Sequence, residues 1–383
     1  MRICIYTETA LPMLGGQELV VDRLARQFLA AGHQVVMLAP TPRSAFRSAG
    51  WREADRLFPY PMVRHPRFVS TRRFVEPYTF WLRRIRRIYG FDILHCHSTY
   101  PTGYLGVRLG RKLGFRVVVT SHGGDVTPTN SKLSDQRIRN RYIETMTGAD
   151  ALVAISDSIT ESYRRLVPDC KFIRIPNGVD VAEFSATAPR PGNLDPAIQP
   201  KRYVLFLGRL NHQKGVDLLI EAAAKLPQRE RPLLVIAGDG PERPALEQLA
   251  AKLGVAGNVC FVGVVTGNLK IFLLQNSLVN LMPSRQWEGF PLVILESFAA
   301  GRPLIVTQIP GSAGLVRHLE TGWLVKPDSP DALANAIRTA IADGPTRERL
   351  GRNARAEAVR YDWKIVAAKY LKLFATLRAH SPL

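Results

Sequence analysis

Acidic residues are scarce in this chain: 32 Asp and Glu face 52 Lys and Arg across 383 residues, a formal charge of +20. Cysteine is scarcer still. Cys4, Cys96, Cys170 and Cys260 stand far apart, with no close pair of the kind that builds a zinc knuckle or redox motif, so all four are expected to be reduced and structural. No apolar run approaches the roughly 20 residues that a membrane span needs. The opening MRICIYTETALPMLGG lacks the apolar core of a signal peptide, which points to a cytoplasmic protein. A Gly-x-Gly-x-x-Gly fingerprint is missing too, which counts against a dinucleotide-dependent oxidoreductase. The positive charge comes without a zinc finger, ribonucleoprotein motif or helix-turn-helix, so a nucleic-acid-binding protein is unsupported and no nucleic acid is expected as a partner.

What is present is globular: 46% of residues are hydrophobic and 22% charged, in a length that suits two domains. Apolar, strand-like runs alternate with amphipathic stretches. The runs RICIYTE, QVVMLAP, DILHCH, RVVVTSH, ALVAIS and KFIRIP come first. After the Pro-rich, aperiodic 185–201 the alternation restarts with YVLFLGRL, PLLVIAG, VCFVG, SLVNLMPS, PLIVTQ and WLVKP. This is the pattern of parallel sheets covered by helices, an α/β class with two Rossmann-like doubly wound domains and a crevice between them. The expected divisions are a first domain at 1–184, a linker at 185–201, a second domain at 202–360 and a helical segment at 361–383.

The charge is uneven. Residues 43–90 hold twelve arginines against Glu53, Asp55 and Glu76, interleaved with Phe, Trp and Tyr. An ordinary solvated surface would explain such a run, but its clustering favours a polyanionic partner: an anionic membrane surface or an acidic acceptor.

In doubly wound sheets ligands collect beyond the carboxyl ends of the strands, so the residues there are the candidates. Gly15 and Gly16 precede a helix and allow a close approach of backbone to phosphate or sugar; a turn would use them equally well. His122 ends RVVVTSHGGD on the rim of the first sheet, where it either meets a ligand or bonds locally. His95 and His97 share a face of DILHCH, but no further ligands complete a zinc site, and no metal is expected. Arg209 and Lys214, in GRLNHQKG, stand beside a helix start and could clamp a diphosphate. Gly238, in IAGDGPE, repeats the theme. Finally, EGFPLVILE sets Glu288 in a loop and Glu296 on a helix that opens at Pro291 and closes before Gly301. Its carboxylates could flank a scissile bond as in glycoside hydrolysis, lie solvated, or grip the hydroxyls of one ligand.

Taken in order, GHQVVMLAP, SHGGD, ALVAISDS, IPNGVD, GRLNHQKGVDLLIEAAA, IAGDGPE and EGFPLVILESFAAGRPLIVT resemble the retaining glycosyltransferases of family 4, which have the GT-B fold. The resemblance implies a nucleotide-diphosphate sugar as donor substrate, with no cofactor and no divalent metal. By it, Glu296 takes the ribose hydroxyls, Glu288 the sugar hydroxyls, and Arg209 with Lys214 the diphosphate. The backbone of Gly289, Phe290, Pro291 and Leu292 contacts sugar and phosphate, and His122 faces the donor sugar. A glycan or lipid-linked acceptor is expected, the basic 43–90 segment points to the cytoplasmic face of the cell membrane as its place, and by the resemblance the leaving diphosphate helps to deprotonate the acceptor. One departure stands out: Pro310-Gly311-Ser312-Ala313-Gly314 replaces the usual Gly-Gly-x-Pro-Glu.

Overall fold

The computed structural model describes residues 1–13, 15–42, 50–66, 76–127 and 130–379. The chain divides into two compact units, Met1–Asn177 with Trp363–Leu383, and Gly178–Asp362.

The first unit carries strands β1 (Arg2–Tyr6), β2 (Gln34–Pro40), β3 (Met62–His65), β4 (Ile93–Cys96), β5 (Arg116–Ser121), β6 (Ala151–Ala154) and β7 (Ile173–Arg174). They form a parallel sheet in the order β3-β2-β1-β4-β5-β6-β7. Its central strands are buried along nearly their whole length, because helices cover both faces and leave no solvated side to demand alternation. The helix Trp363–Ala379 belongs to this unit. Phe28 packs edge-on against its Tyr370 and Phe374, with centroids 6.4 and 5.6 Å away, and the Tyr370 hydroxyl lies 3.3 Å from Thr120 Oγ1.

The second unit carries β8 (Tyr203–Leu207), β9 (Leu233–Ala237), β10 (Val259–Gly263), β11 (Asn280–Met282), β12 (Leu304–Thr307) and β13 (Gly322–Val325). Their order is β10-β9-β8-β11-β12-β13, again parallel. In each sheet the chain starts in the middle, winds outward one way and then the other. The switch points lie between β1 and β4 and between β8 and β11, the places where such sheets open to ligands.

The structure differs from the expected divisions at 185–201. That segment is irregular but belongs to the second unit, whose boundary falls at 177/178 rather than 184/185. Side chains satisfy its backbone. Gln275 Nε2 donates to the carbonyls of Phe184 and Ala186, and Arg190 donates to those of Leu194, Asp195 and Ile198. The segment reads as a tether only because these partners are remote in sequence or lack a periodic pattern. Among the described residues, no helix is long and apolar enough to cross a membrane.

Candidate active site

At the switch point of the second sheet, β8 runs into the loop 208–215 and β11 into the loop 283–291. These loops are laced together. Arg285 makes a bidentate pair with Asp217, both contacts 2.6 Å, and also donates to the His212 carbonyl at 3.1 Å. Gln213 Nε2 donates to the Trp287 carbonyl at 3.0 Å. Burial pushes the Asp217 carboxyl up, but the Arg285 hydrogen bonds and charge overcome this and leave its pKa below the ordinary value.

That clasp brings Lys214 to Glu288. Nζ lies 2.6 Å from Oε1, which also accepts from Ser284 Oγ at 2.7 Å, and the glutamate is only 8% exposed. The backbone of Glu288 is fixed as well, its amide donating to the Pro310 carbonyl at 3.0 Å. Next along, Gly311 sits at φ +94°, and a Cβ there would fall 1.9 Å from the Glu288 carbonyl oxygen. The divergent Pro310–Gly314 segment therefore holds the backbone from which this carboxylate projects.

Glu296 is held separately. It lies on the helix Leu292–Ala299, is 8% exposed, and its Oε1 is 2.6 Å from Nζ of Lys270, a residue on the helix Gly267–Asn276. The two glutamates thus engage different cations from different elements rather than each other. Between them, Pro291 occupies the N-cap position and no side chain caps the helix. Gly289, Phe290 and Pro291 are buried, while Leu292 is half-buried at the first helical position, where an amide has no intrahelical partner. Arg209 is exposed on the neighbouring loop. Gly238 has a packing reason of its own: at φ +147°, a Cβ would fall 1.8 Å from the Gly208 carbonyl oxygen, so two strand-end loops touch there through bare backbone.

The first unit's switch point is built differently. Gln17 Nε2 bridges Thr7 Oγ1 at 3.1 Å and the His97 carbonyl at 2.9 Å, tying the end of β1 to that of β4. His122, at the end of β5, has Nε2 2.8 Å from Nδ1 of His97, and the rings stack 5.1 Å apart. His95 follows at 4.1 Å from the His97 ring, with Nε2 2.9 Å from Thr120 Oγ1. Burial lowers all three: His122 to about 4, His95 to about 3, and His97 well below its ordinary value. At neutral pH the cluster is uncharged, so within the His97 and His122 pair one ring nitrogen donates and the other accepts. Among the described residues, no group of three or more His, Cys, Asp or Glu is arranged to hold a metal.

Gly15 precedes the helix Gly16–Ala30 in an extended conformation, and the Glu18 carboxylate folds back so far that a Cβ on Gly15 would lie 2.4 Å from Oε2. The start of that helix already faces a negative charge. Sequence reasoning passed over Glu8, just past β1, whose carboxyl burial pushes up to about 7 although Lys132 pulls it down. It also passed over Lys270 and the Arg285 clasp, none of which has a local pattern to reveal it.

The arginine-rich stretch resolves into distinct roles. Arg64 is buried and structural, paired with Asp55 at 2.6 Å and donating to the Leu11 and Pro40 carbonyls. On the helix Thr79–Tyr89, Leu82 and Ile85 face inward while Arg83, Arg84 and Arg87 are exposed, alongside Phe80 at 59% and Ile88 at 58% exposure. Arg43, Arg47, Arg67, Arg72 and Arg73 lie outside the described residues.

Residues 14–183 match the family described as Glycosyltransferase Family 4, and residues 195–357 match Glycosyl transferases group 1. Over 386 residues the chain is 26% identical to an uncharacterized glycosyltransferase of Methanocaldococcus jannaschii, with 98% of each chain covered. It is 29% identical over 391 residues to the phosphatidyl-myo-inositol mannosyltransferase of Mycobacterium tuberculosis, spanning 98% of this chain and 97% of that one. Among solved structures, HepE of Anabaena in complex with UDP superposes with a TM-score of 0.80 at 19% identity, covering 98% of this chain and 100% of that one. The two Rossmann-like domains are those of the GT-B fold.

Proposed function

We propose that this chain, which belongs to the family 4 glycosyltransferases, moves a hexosyl group from a nucleotide-diphosphate sugar to a hydroxyl of a glycan or lipid-linked acceptor, with retention of anomeric configuration. The observation that carries the reading is the Lys214–Glu288 pair at the switch point between β8 and β11, beside an uncapped helix start. A diphosphate suits this place, since it takes charge from Lys214 and Arg209 and hydrogen bonds from the first amides of the helix. Glu288 is then placed to meet the sugar hydroxyls and Glu296 the ribose, since a carboxylate accepts hydrogen bonds from both kinds of hydroxyl. Gly289, Phe290, Pro291 and Leu292 line the approach between them.

In the transfer, the bond from the anomeric carbon to the diphosphate oxygen breaks and one to the acceptor oxygen forms, while the acceptor's proton passes to the leaving diphosphate. Negative charge grows on that diphosphate, and Arg209, Lys214 and the helix dipole are set to stabilise it electrostatically, so the reaction is assigned no metal and no cofactor. His122, neutral and fixed by His97, is assigned a hydrogen-bonding role toward the donor sugar rather than a cationic one.

Two features support an acceptor at the cytoplasmic face of a membrane. The relative from Mycobacterium tuberculosis is named for a lipid acceptor. The exposed face of Thr79–Tyr89 sets three arginines beside Phe80 and Ile88, the combination of charge and apolar contact that holds a peripheral protein on anionic lipid.

The test is transfer itself. Incubation with UDP-, GDP- and ADP-sugars and lipid extracts should release one nucleoside diphosphate, with a product whose anomeric proton couples as in the donor. An inverted product would remove the retaining mechanism, and no turnover of any donor would remove the transferase.

A further inference from the structure

Lys270 has no place in the assignments above, although it makes one of the shortest ion pairs in the second unit. Its Nζ is 2.6 Å from Glu296 Oε1 and 5.5 Å from the centroid of Phe184, a residue of the helix Val181–Ser185. Both partners are enclosed, with side chains 16% and 10% exposed. Among the described residues, Glu296 is the one hydrogen-bond acceptor of this ammonium. A charge-assisted bond in such surroundings fixes the plane of a carboxylate that would otherwise rotate freely about its last torsion. It occupies one oxygen and leaves the second for another donor.

We propose that Lys270 is a positioning residue for the donor's ribose: it orients Glu296 so that the free oxygen meets the vicinal hydroxyls, and the pair, not Glu296 alone, sets the preference for a ribonucleotide over its 2′-deoxy counterpart. This rests on the donor-site reading. The physical reason for selectivity is that a hydroxyl lost from the ligand leaves an enclosed, oriented carboxylate oxygen without its donor, a cost that a loosely held carboxylate avoids by turning away.

The experiment compares UDP, GDP and ADP with their 2′-deoxy forms by isothermal titration, on the wild type and on Lys270→Met, Lys270→Arg, Glu296→Gln and the Lys270→Met/Glu296→Gln double variant. The wild type should favour the ribonucleotide about tenfold or more, and Lys270→Met should shrink that ratio to about threefold or less. Lys270→Arg should restore part of it, and Lys270→Met should change nothing further once Glu296 is Gln, since the lysine acts through that carboxylate. In turnover, the loss should appear in the donor KM more than in kcat. Should Lys270→Met fail to fold, Lys270→Gln makes the same comparison. A ribo-to-deoxy ratio that survives in a folded variant overturns the proposal, as does a wild type that binds both forms equally; in either case the transferase reading stands. A wild type that binds none of the three nucleotides overturns both.

Discussion

The two switch points share one topology and have opposite electrostatics. Between β1 and β4 the chain gathers three histidines held uncharged by burial, with no cation paired to them among the described residues, beside Glu8, whose carboxyl burial pushes up to about 7. Between β8 and β11 it gathers charges in pairs, Lys214 with Glu288 and, on the adjoining helices, Lys270 with Glu296. The doubly wound sheet supplies a location and leaves the chemistry to the loops. A charged centre suits a diphosphate leaving group, and a neutral one suits hydroxyls that must be placed without being ionised.

The largest expected effect breaks the charged side. Glu288→Ala removes the carboxylate proposed to accept from the sugar hydroxyls and takes from Lys214 its ion-pair partner, and kcat/KM should fall about 10²- to 10³-fold. Steady-state kinetics with the preferred donor would check it, and a loss of under about tenfold would move the sugar contact elsewhere. Next comes the first unit's basic helix. Replacing Arg83, Arg84 and Arg87 together by Ala should weaken sedimentation with phosphatidylglycerol vesicles by roughly 1 kcal/mol per arginine, and added salt should erase the difference. Unaltered binding would detach the membrane role from this helix.

A third variant sharpens the neutral side. The folded-state pKa of Glu8 lies above its ordinary value, so its contribution is favourable when protonated and is lost as pH rises from 4.5 through about 7. Glu8→Gln should therefore match the wild type near pH 4.5 and become more stable as pH rises, by up to about 1.4 kcal/mol for each pH unit in that window. Melting curves at pH 4.5 and 8 decide this, and a gap independent of pH would contradict it. The smallest effect concerns the backbone that holds Glu288. Gly311→Ala imposes a side chain at φ +94° and against the Glu288 carbonyl, and should cost about 1–3 kcal/mol of stability. A melting temperature equal to that of the wild type would show that the segment yields.

Much of this was legible in the sequence. Strand runs such as ICIY and YVLFL are apolar throughout because both sheet faces are covered, and Pro291 and Gly301 bracket the helix they were expected to bracket, Gly301 at φ +71° just past its end. β3 was missed, since MVRH is short and sits inside an arginine-rich stretch that reads as surface. The same stretch hides Arg64, because composition cannot tell a solvated arginine from one buried against Asp55. The candidate residues of the second unit were found where local glycines and charges mark strand ends. Lys270 and Arg285 were not, and Gly311 stood out only as part of a departure from the family pattern, because each matters through a partner far along the chain: Glu296, Asp217 and the Glu288 carbonyl. The 177/178 boundary escaped for a related reason, the remote Gln275 holding what looks like a linker.

Whether the charged switch point of the second unit holds a nucleotide-diphosphate sugar is tested most directly by titration of UDP-, GDP- and ADP-sugars into the wild type and the Glu296→Ala variant. The wild type should bind one donor saturably, and the variant should bind it about tenfold or more weakly. Equal affinity in the two proteins, or no binding of any donor by the wild type, would contradict the donor-site assignment.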